Sequence, residues 1–480
     1  MGREIREEHF GEADHERFRT ALADETTRLL DWLAQAPPTP DPAPLPRLGF
    51  EIEAWLCDRH GRALPFNDAF LEAMASPLAT PELAQFNVEL NSSVFRAGPG
   101  CFRAIRDELE TTLQQARRAA RQARADLLMT GSLPTLKPGD LGLHHMSHQA
   151  RYRALNAAIL EQREQRPLKV DIVGHEHLQH RHADVMLEAA ATSFQVHIET
   201  RPEIAHHAYN ATLMAAGPVL AAAGNTPYIF GHDLWAESRI PLFEQAVEVG
   251  GFAASARGPI RRVTFGTGYL HDSIGELFTE NLEHFPVLLP VALEDPPDQL
   301  PHLAFHNGTI WRWNRPIIGC DAARHRSLRL EFRCLPAGPS LTDMLANTAF
   351  ALGLIEHLVA DPTRATTALP FSAARDNFYN AARYGLEARL HWGDGDPAPA
   401  PRRILRELLP QAAAGLDRLG IDAGERDALL EIIAARVEKR QTGAQWQRAW
   451  VARHGRDWPG LVRAYRSWQS TGAPVHTWGL

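Results

Sequence analysis

The sequence predicts an α+β protein: a curved antiparallel sheet with one polar face, flanked by helices and followed by a helical C-terminal extension. Three observations predict it. Short segments in which apolar and polar residues strictly alternate recur four times, and period two is the mark of a half-buried strand. Longer runs with helical periodicity lie between them, without the strict strand–helix alternation that a doubly wound parallel sheet needs. Finally, 480 residues of which 44% are hydrophobic can bury a core large enough for both layers.

In chain order, residues 1–35 are expected to form an N-terminal helix, its amphipathic period running from 14 to 35. Pro37, Pro38, Pro40, Pro42, Pro44 and Pro46 make 36–46 an extended linker that no helix can cross. The main domain is expected over 47–395. The first strand is Leu48 to Leu56, in which Leu48, Phe50, Ile52, Ala54 and Leu56 face one way and Glu51 and Glu53 the other, their Cα atoms roughly 7 Å apart. Phe86 to Asn91 puts Glu89 with Asn87 and Asn91. A helix is expected from Phe102 to Leu128, rich in Ala, Arg, Gln and Leu. Ser193 to Glu199 groups Gln195, His197 and Glu199 on one face. Buried helices are expected at Tyr209–Ala223 and Leu341–Val359, with the strand Leu328 to Cys334 grouping Arg329, Glu331 and Arg333 between them. Gly308 to Arg315 reads as a turn leading into a strand whose indoles, Trp311 and Trp313, are wall or core. Residues 396–480 are expected to be helical and packed on the core, with the tryptophans near the end serving as packing.

The polar faces carry the chemistry. Taken singly, each is a wet face on which Glu and Arg pair across strands. Together they are Glu, His, Asn, Gln and Arg without a lysine, and carboxylates crowded on one surface repel one another unless cations lie between them. Hard oxygen donors with one imidazole suit Mg²⁺ or Mn²⁺ better than Zn²⁺, and nearby arginines suit phosphate oxygens. The combination points to phosphoryl transfer.

Composition excludes other classes. Fifty Lys and Arg against 58 Asp and Glu leave a formal charge of −8 and no basic field for nucleic acid or an anionic membrane. No stretch stays apolar for the ~20 residues of a membrane span, and the charged N-terminus has no apolar segment of the kind export signals carry. Cys57, Cys101, Cys320 and Cys334 lack the spacing of a zinc ribbon or disulfide framework, so reduced thiols and a cytoplasmic location are expected. His175, His177, His180 and His182 miss the HExxH pattern because residue 179 is Gln, and read as a solvated loop or helix end. Gly266-Thr-Gly268 lacks a following Walker lysine or GxGxxG spacing and reads as a strand-end turn. The pairs Ser193 with His197 and Cys334 with the nearest histidines offer no third, orienting partner, so a hydrolase triad is not supported.

The motifs Gly49-Phe-Glu-Ile-Glu53, Asn87-Val-Glu-Leu-Asn91, Phe194-Gln-Val-His-Ile198, Tyr209-Asn-Ala-Thr, Gly224-Asn-Thr-Pro227, Gly308-Thr-Ile-Trp-Arg-Trp-Asn-Arg315, Leu330-Glu-Phe-Arg333 and Ala382-Arg-Tyr-Gly-Leu-Glu-Ala388 follow in order from Gly49 to Leu390. In that order they resemble glutamate–cysteine ligase family 2, carboxylate–amine ligases with a catalytic sheet of the glutamine synthetase and guanidino kinase type. The resemblance implies metal ligands at Glu51, Glu53, Glu89, His197 and Glu331, with Arg333 on nucleotide phosphate. Where the family often has a further acid just ahead of the second-strand glutamate, this chain has Gln85 and Asn87. The implied reaction is ATP-dependent amide formation through an acyl phosphate, with Mg²⁺ (or Mn²⁺), Glu53 and Arg333 as catalytic groups, and Arg312 and Arg315 as further phosphate clamps. Amino acids and ATP are the expected partners, a homodimer is an admissible assembly, and glutathione biosynthesis is the implied setting. Two other readings keep the same sheet: a kinase that phosphorylates a guanidino or carboxylate group and stops, and a silent binding scaffold.

Overall fold

The alternating segments fold into the strands their pattern predicts. In a computed structural model, which describes residues 4, 5, 7, 9–36, 43–249, 260–320, 325–393 and 395–480, the main sheet is built from β1 (Arg47–Cys57), β2 (Ala79–Pro81), β3 (Asn87–Asn91), β4 (Phe95–Arg96), β5 (Asp126–Leu128), β6 (Ser193–Thr200), β7 (Asn314–Cys320) and β8 (Arg326–Pro336). The order is β7-β8-β6-β1-β3-β2, with β4 and β5 also paired to β1. Every pairing is antiparallel. Residues 37–42 of the expected linker lie outside the described residues.

The register follows from burial. Phe50, Ile52, Phe194, Val196, Leu330 and Phe332 are all buried on one face, each worth on the order of 2 kcal/mol. Sliding β1 by one residue would exchange that face for Glu51 and Glu53, so the pairing is fixed. Glu53 therefore stands opposite Glu89, Glu51 between Asn91 and Gln195, and Glu331 between Arg315 and His197.

Helices cover the apolar face. Those used below are α1 (Glu12–Ala34), α2 (Cys101–Gln122), α3 (Ala205–Ala223), α4 (Leu341–Val359), α5 (Phe371–Tyr384), α6 (Leu409–Arg418), α7 (Ala423–Glu438), α8 (Gly443–His454) and α9 (Trp458–Ser470). α3 is apolar and buried on nearly every side, as a helix between a sheet and other helices must be. α4 begins in a capping box between Ser340 and Asp343. It crosses α6 at two glycines: a Cβ on Gly353 would lie 2.2 Å from the Ala412 carbonyl oxygen, and one on Gly415 1.9 Å from that of Gly353.

The last helices are tied to the core by buried polar bonds. Arg436 of α7 pairs with Asp343 at 2.8 Å and donates to the Ala222 carbonyl. Gln447 of α8 donates to the Asn225 carbonyl, and the Gln469 side chain of α9 both donates to and accepts from Met129. Trp446 and Trp478 pack edge to face at 5.2 Å, with Tyr465 beside both. The tail tryptophans are packing residues.

Two expectations are corrected. The helix expected to reach Leu128 ends at Gln122, because Arg124 turns left-handed (φ 58°) and Asp126–Leu128 is taken up as a strand beside Trp55–Cys57. His175 lies in an exposed bend, as expected, but the other three histidines do not: His177–His182 is a strand paired with Leu168–Val173, and alternate residues of the latter are buried. Among the described residues no helix is long and apolar enough to cross a membrane.

Candidate active site

Because β1, β3, β6 and β8 are neighbours with fixed register, their polar residues converge on one cavity of about 570 Å³. Glu51, Glu53, Glu89, Glu331, Arg315 and Arg333 all line it. Two groups of acidic or imidazole side chains have ligand atoms within 4.8 Å of one another: Glu51, His197 and Glu331 in one, and Glu53, Glu82 and Glu89 in the other.

The groups are held in different ways. In the first, His197 Nε2 lies 2.8 Å from Glu51, and the His197 Nδ1 accepts from Arg329. Glu331 is bound by both nitrogens of an Arg315 fork, at 2.8 and 3.0 Å, and by Arg333 at 2.8 Å. Burial pushes Glu331 up, but the two guanidiniums outweigh it and hold the carboxyl well below its usual value. For Glu51, burial is likewise outweighed, here by the His197 hydrogen bond. In the second group Glu53 accepts from the backbone N–H and hydroxyl of Ser193 and from Gln195. Glu89 accepts from Thr80 and Asn91. No arginine among the described residues pairs with any of these three. Burial, then Glu89 and Glu53, raise Glu82 well above the usual carboxylate value, and burial, then Glu51, raise Glu89. Glu188, on the same cavity, is pushed up to about 7 by burial and Glu53.

Arg312 is not part of this constellation. It is fully buried behind the cavity wall, donates to Asn281 and Glu280, and lies over the Phe285 ring. Arg312, expected as a phosphate clamp, does not line the cavity, because it lies on a different ladder from Arg315. Trp311 lines the cavity, whereas Trp313 is core and donates to buried Glu244. Sequence reasoning missed Glu82, Glu188, Arg151 and Tyr152. Glu82 follows a strand of three residues and Glu188 sits in a 3₁₀ turn, Val185–Ala190, too short for any periodicity to mark. Glu82, a few residues ahead of Gln85 and Asn87, adds an acid beside Glu53 and Glu89.

The fold is shared with solved structures of known type. The glutamate–cysteine ligase of Francisella tularensis, in complex with AMP, superposes with a TM-score of 0.53 at 12% identity, over 88% of this chain and 89% of that one. A bifunctional glutathione synthetase from Pasteurella multocida gives 0.52 at 10% identity, over 96% of this chain and 55% of that one. The likeness shows that the curved antiparallel sheet and its helices form a fold these structures share. The chain belongs to glutamate–cysteine ligase family 2, whose model matches residues 47–467. Its class is that of the ATP-dependent carboxylate–amine ligases. A search of curated proteins gives no match.

The donor set fits a hard divalent cation. The trio Glu53, Glu82 and Glu89 is acidic and oxygen-only, no arginine among the described residues forms an ion pair with it, and Glu53 raises the pKa of both Glu82 and Glu89. Glu51, His197 and Glu331 could hold a second ion, although Glu331 is already balanced by two arginines. The trio gives a test. A carboxyl with a raised folded pKa destabilises the fold above its ordinary value and not below it. Glu82→Gln is therefore expected to raise the melting temperature in chelator at neutral pH, with the gain vanishing near pH 4 and below, while weakening Mg²⁺ binding measured by calorimetry.

Proposed function

We propose that the protein forms a γ-glutamyl-type amide: ATP phosphorylates a substrate carboxylate, and an amine displaces the phosphate from the acyl phosphate. The observation that carries this reading is the convergence of six carboxylates and the Arg315 and Arg333 guanidiniums on one cavity, with the His197 imidazole bound to Glu51 but lining the neighbouring cavity. A carboxylate and an amine do not condense in water without activation, and phosphoryl transfer is driven mainly by positioning and by charge placed around the phosphate. Glu51, Glu53, Glu82, Glu89, His197 and Glu331 would hold Mg²⁺ (or Mn²⁺), which when bound offsets charge on the phosphate oxygens. Arg333 keeps a buried Nε–H without a partner, and Arg315 lies beside it on Glu331; both are placed to receive phosphate oxygens. Gln195 and Ser193 orient Glu53. Cys57, Cys101 and Cys334 are free thiols, which suits a reducing, cytoplasmic setting.

Screening pairs of amino acids for ADP release, with mass spectrometry of the product, tests the reading. A glutamyl amide formed only with acid, amine and ATP together supports it. Phosphate transfer without any need for an amine would make the protein a kinase, and no binding of Mg·ATP would make it a scaffold.

Arg151 bears on the substrate. It is 9% exposed, lines the cavity, and among the described residues donates only to the Tyr152 hydroxyl and leaves its Nε–H without a partner. It is suited to the non-reacting carboxylate of an amino-acid substrate. Arg151→Gln is expected to raise KM for one amino acid roughly 10- to 100-fold, the range of one charge-assisted hydrogen bond, while KM for ATP stays within about twofold in steady-state assays.

A further inference from the structure

A second cavity, of about 370 Å³, shares no residue with the carboxylate cavity. Arg117 and Arg121, from the last turns of α2, face Arg463 and Arg466 of α9 across it, and Asp126 is the one acid that lines it. That acid is already taken by Arg466. Arg463 reaches only the half-exposed Asp457, at 3.8 Å. Among the described residues Arg117 and Arg121 make no hydrogen bond or ion pair. Arg117 is half-buried even so, and its burial, with Arg121 close by, lowers its guanidinium from the usual value against the pull of Glu110.

A chain with a formal charge of −8 has here a cavity lined by four guanidiniums and one carboxylate. Arg117 and Arg121 have no partner among the described residues, so like charges gathered here repel, and the partial burial of Arg117 weakens the screening that water would give. An anion bearing several charges removes that repulsion. We propose that this cavity binds a compact polyphosphate, two or more adjacent phosphoryl groups. Guanidinium forks match phosphate oxygens in pairs, and the uncompensated charge calls for more than a monoanion. No aromatic ring lines the cavity, so nothing there would stack a nucleotide base. The site touches the frame of the sheet: Asp126 pairs with Cys57 at the end of β1, and Gln469, also on the cavity, holds the backbone of Met129.

The test is isothermal calorimetry of inorganic triphosphate, in chelator, against the full chain, Glu53→Gln and the Arg117→Gln/Arg121→Gln double variant. The expected result is one equivalent bound by the native chain and by Glu53→Gln, at least tenfold weaker binding by the double variant, weakening with salt, and much weaker binding of sulfate. The proposal is overturned if the native chain binds none, if the double variant binds as well as native, if Glu53→Gln abolishes binding, or if sulfate binds equally. Should the double variant fail to fold, as judged by circular dichroism, exposed Arg463→Gln takes its place, with weaker binding expected and unchanged binding overturning the proposal. The outcome is independent of whether the amide reaction is found.

Discussion

Glu53→Gln is expected to lower the ATP-dependent ligation rate by about 10²- to 10³-fold or more, with a melting temperature close to that of the native chain. The fold should survive because glutamine retains the shape: its carbonyl can still accept the Ser193 N–H, and its amide can donate to the Ser193 hydroxyl, which now holds Glu53 at 2.6 and 2.7 Å. What is lost is a negative charge at the point where Glu53, Glu82 and Glu89 come within 4.8 Å of one another. If that trio holds a cation, the amide leaves it a ligand short and the phosphate oxygens less well neutralised. Coupled measurement of ADP release beside thermal melts separates the two effects. Full activity in the variant would refute the metal assignment.

The largest expected effect on stability lies behind the sheet. Asp343→Asn should cost about 3–5 kcal/mol, seen as a lowered urea midpoint, because it strands a charge in the interior. Asp343 and Arg436 are 0% and 1% exposed. The aspartate also accepts from Ser340 and from the Val475 backbone, so one carboxylate ties the start of α4 to both α7 and the tail. Removing both charges with Asp343→Leu and Arg436→Met should recover part of the loss, since a buried pair replaced by apolar groups no longer leaves either partner unpaired. If the double variant proved as unstable as the sum of the two single ones, the ion pair would not be the source of the effect.

How far the sequence alone reaches differs between strand and loop. Glu51, Glu53, Glu89, His197 and Glu331 were legible because period two assigns a face to every residue of a strand, and one apolar face fixes the other. The pairing of distant strands was not legible from alternation; only the ordered motifs implied it. Glu82 follows a three-residue strand, Glu188 sits in a 3₁₀ turn and Arg151 at a helix start, and no period runs long enough there to point a side chain anywhere. Arg312 and Arg315 lie apart because Trp311–Arg312 pairs with Val263–Thr264 and Asn314–Cys320 with Arg326–Phe332, two different ladders that no local pattern separates. The overlong helix at Phe102–Leu128 shows propensity overruled by tertiary pairing, since Asp126–Leu128 completes hydrogen bonds that β1 would otherwise leave open.

The glycine crossing of α4 and α6 has a practical consequence. Main chain meets main chain there, and no side chain could slide in to close the seam if α6 were taken away. A shortened protein ending before Leu409 would bare carbonyl groups and a strip of apolar helix that now sees no water, and aggregation rather than a smaller enzyme would be the result. Truncation, fusion and circular permutation are best planned around an intact C-terminal third.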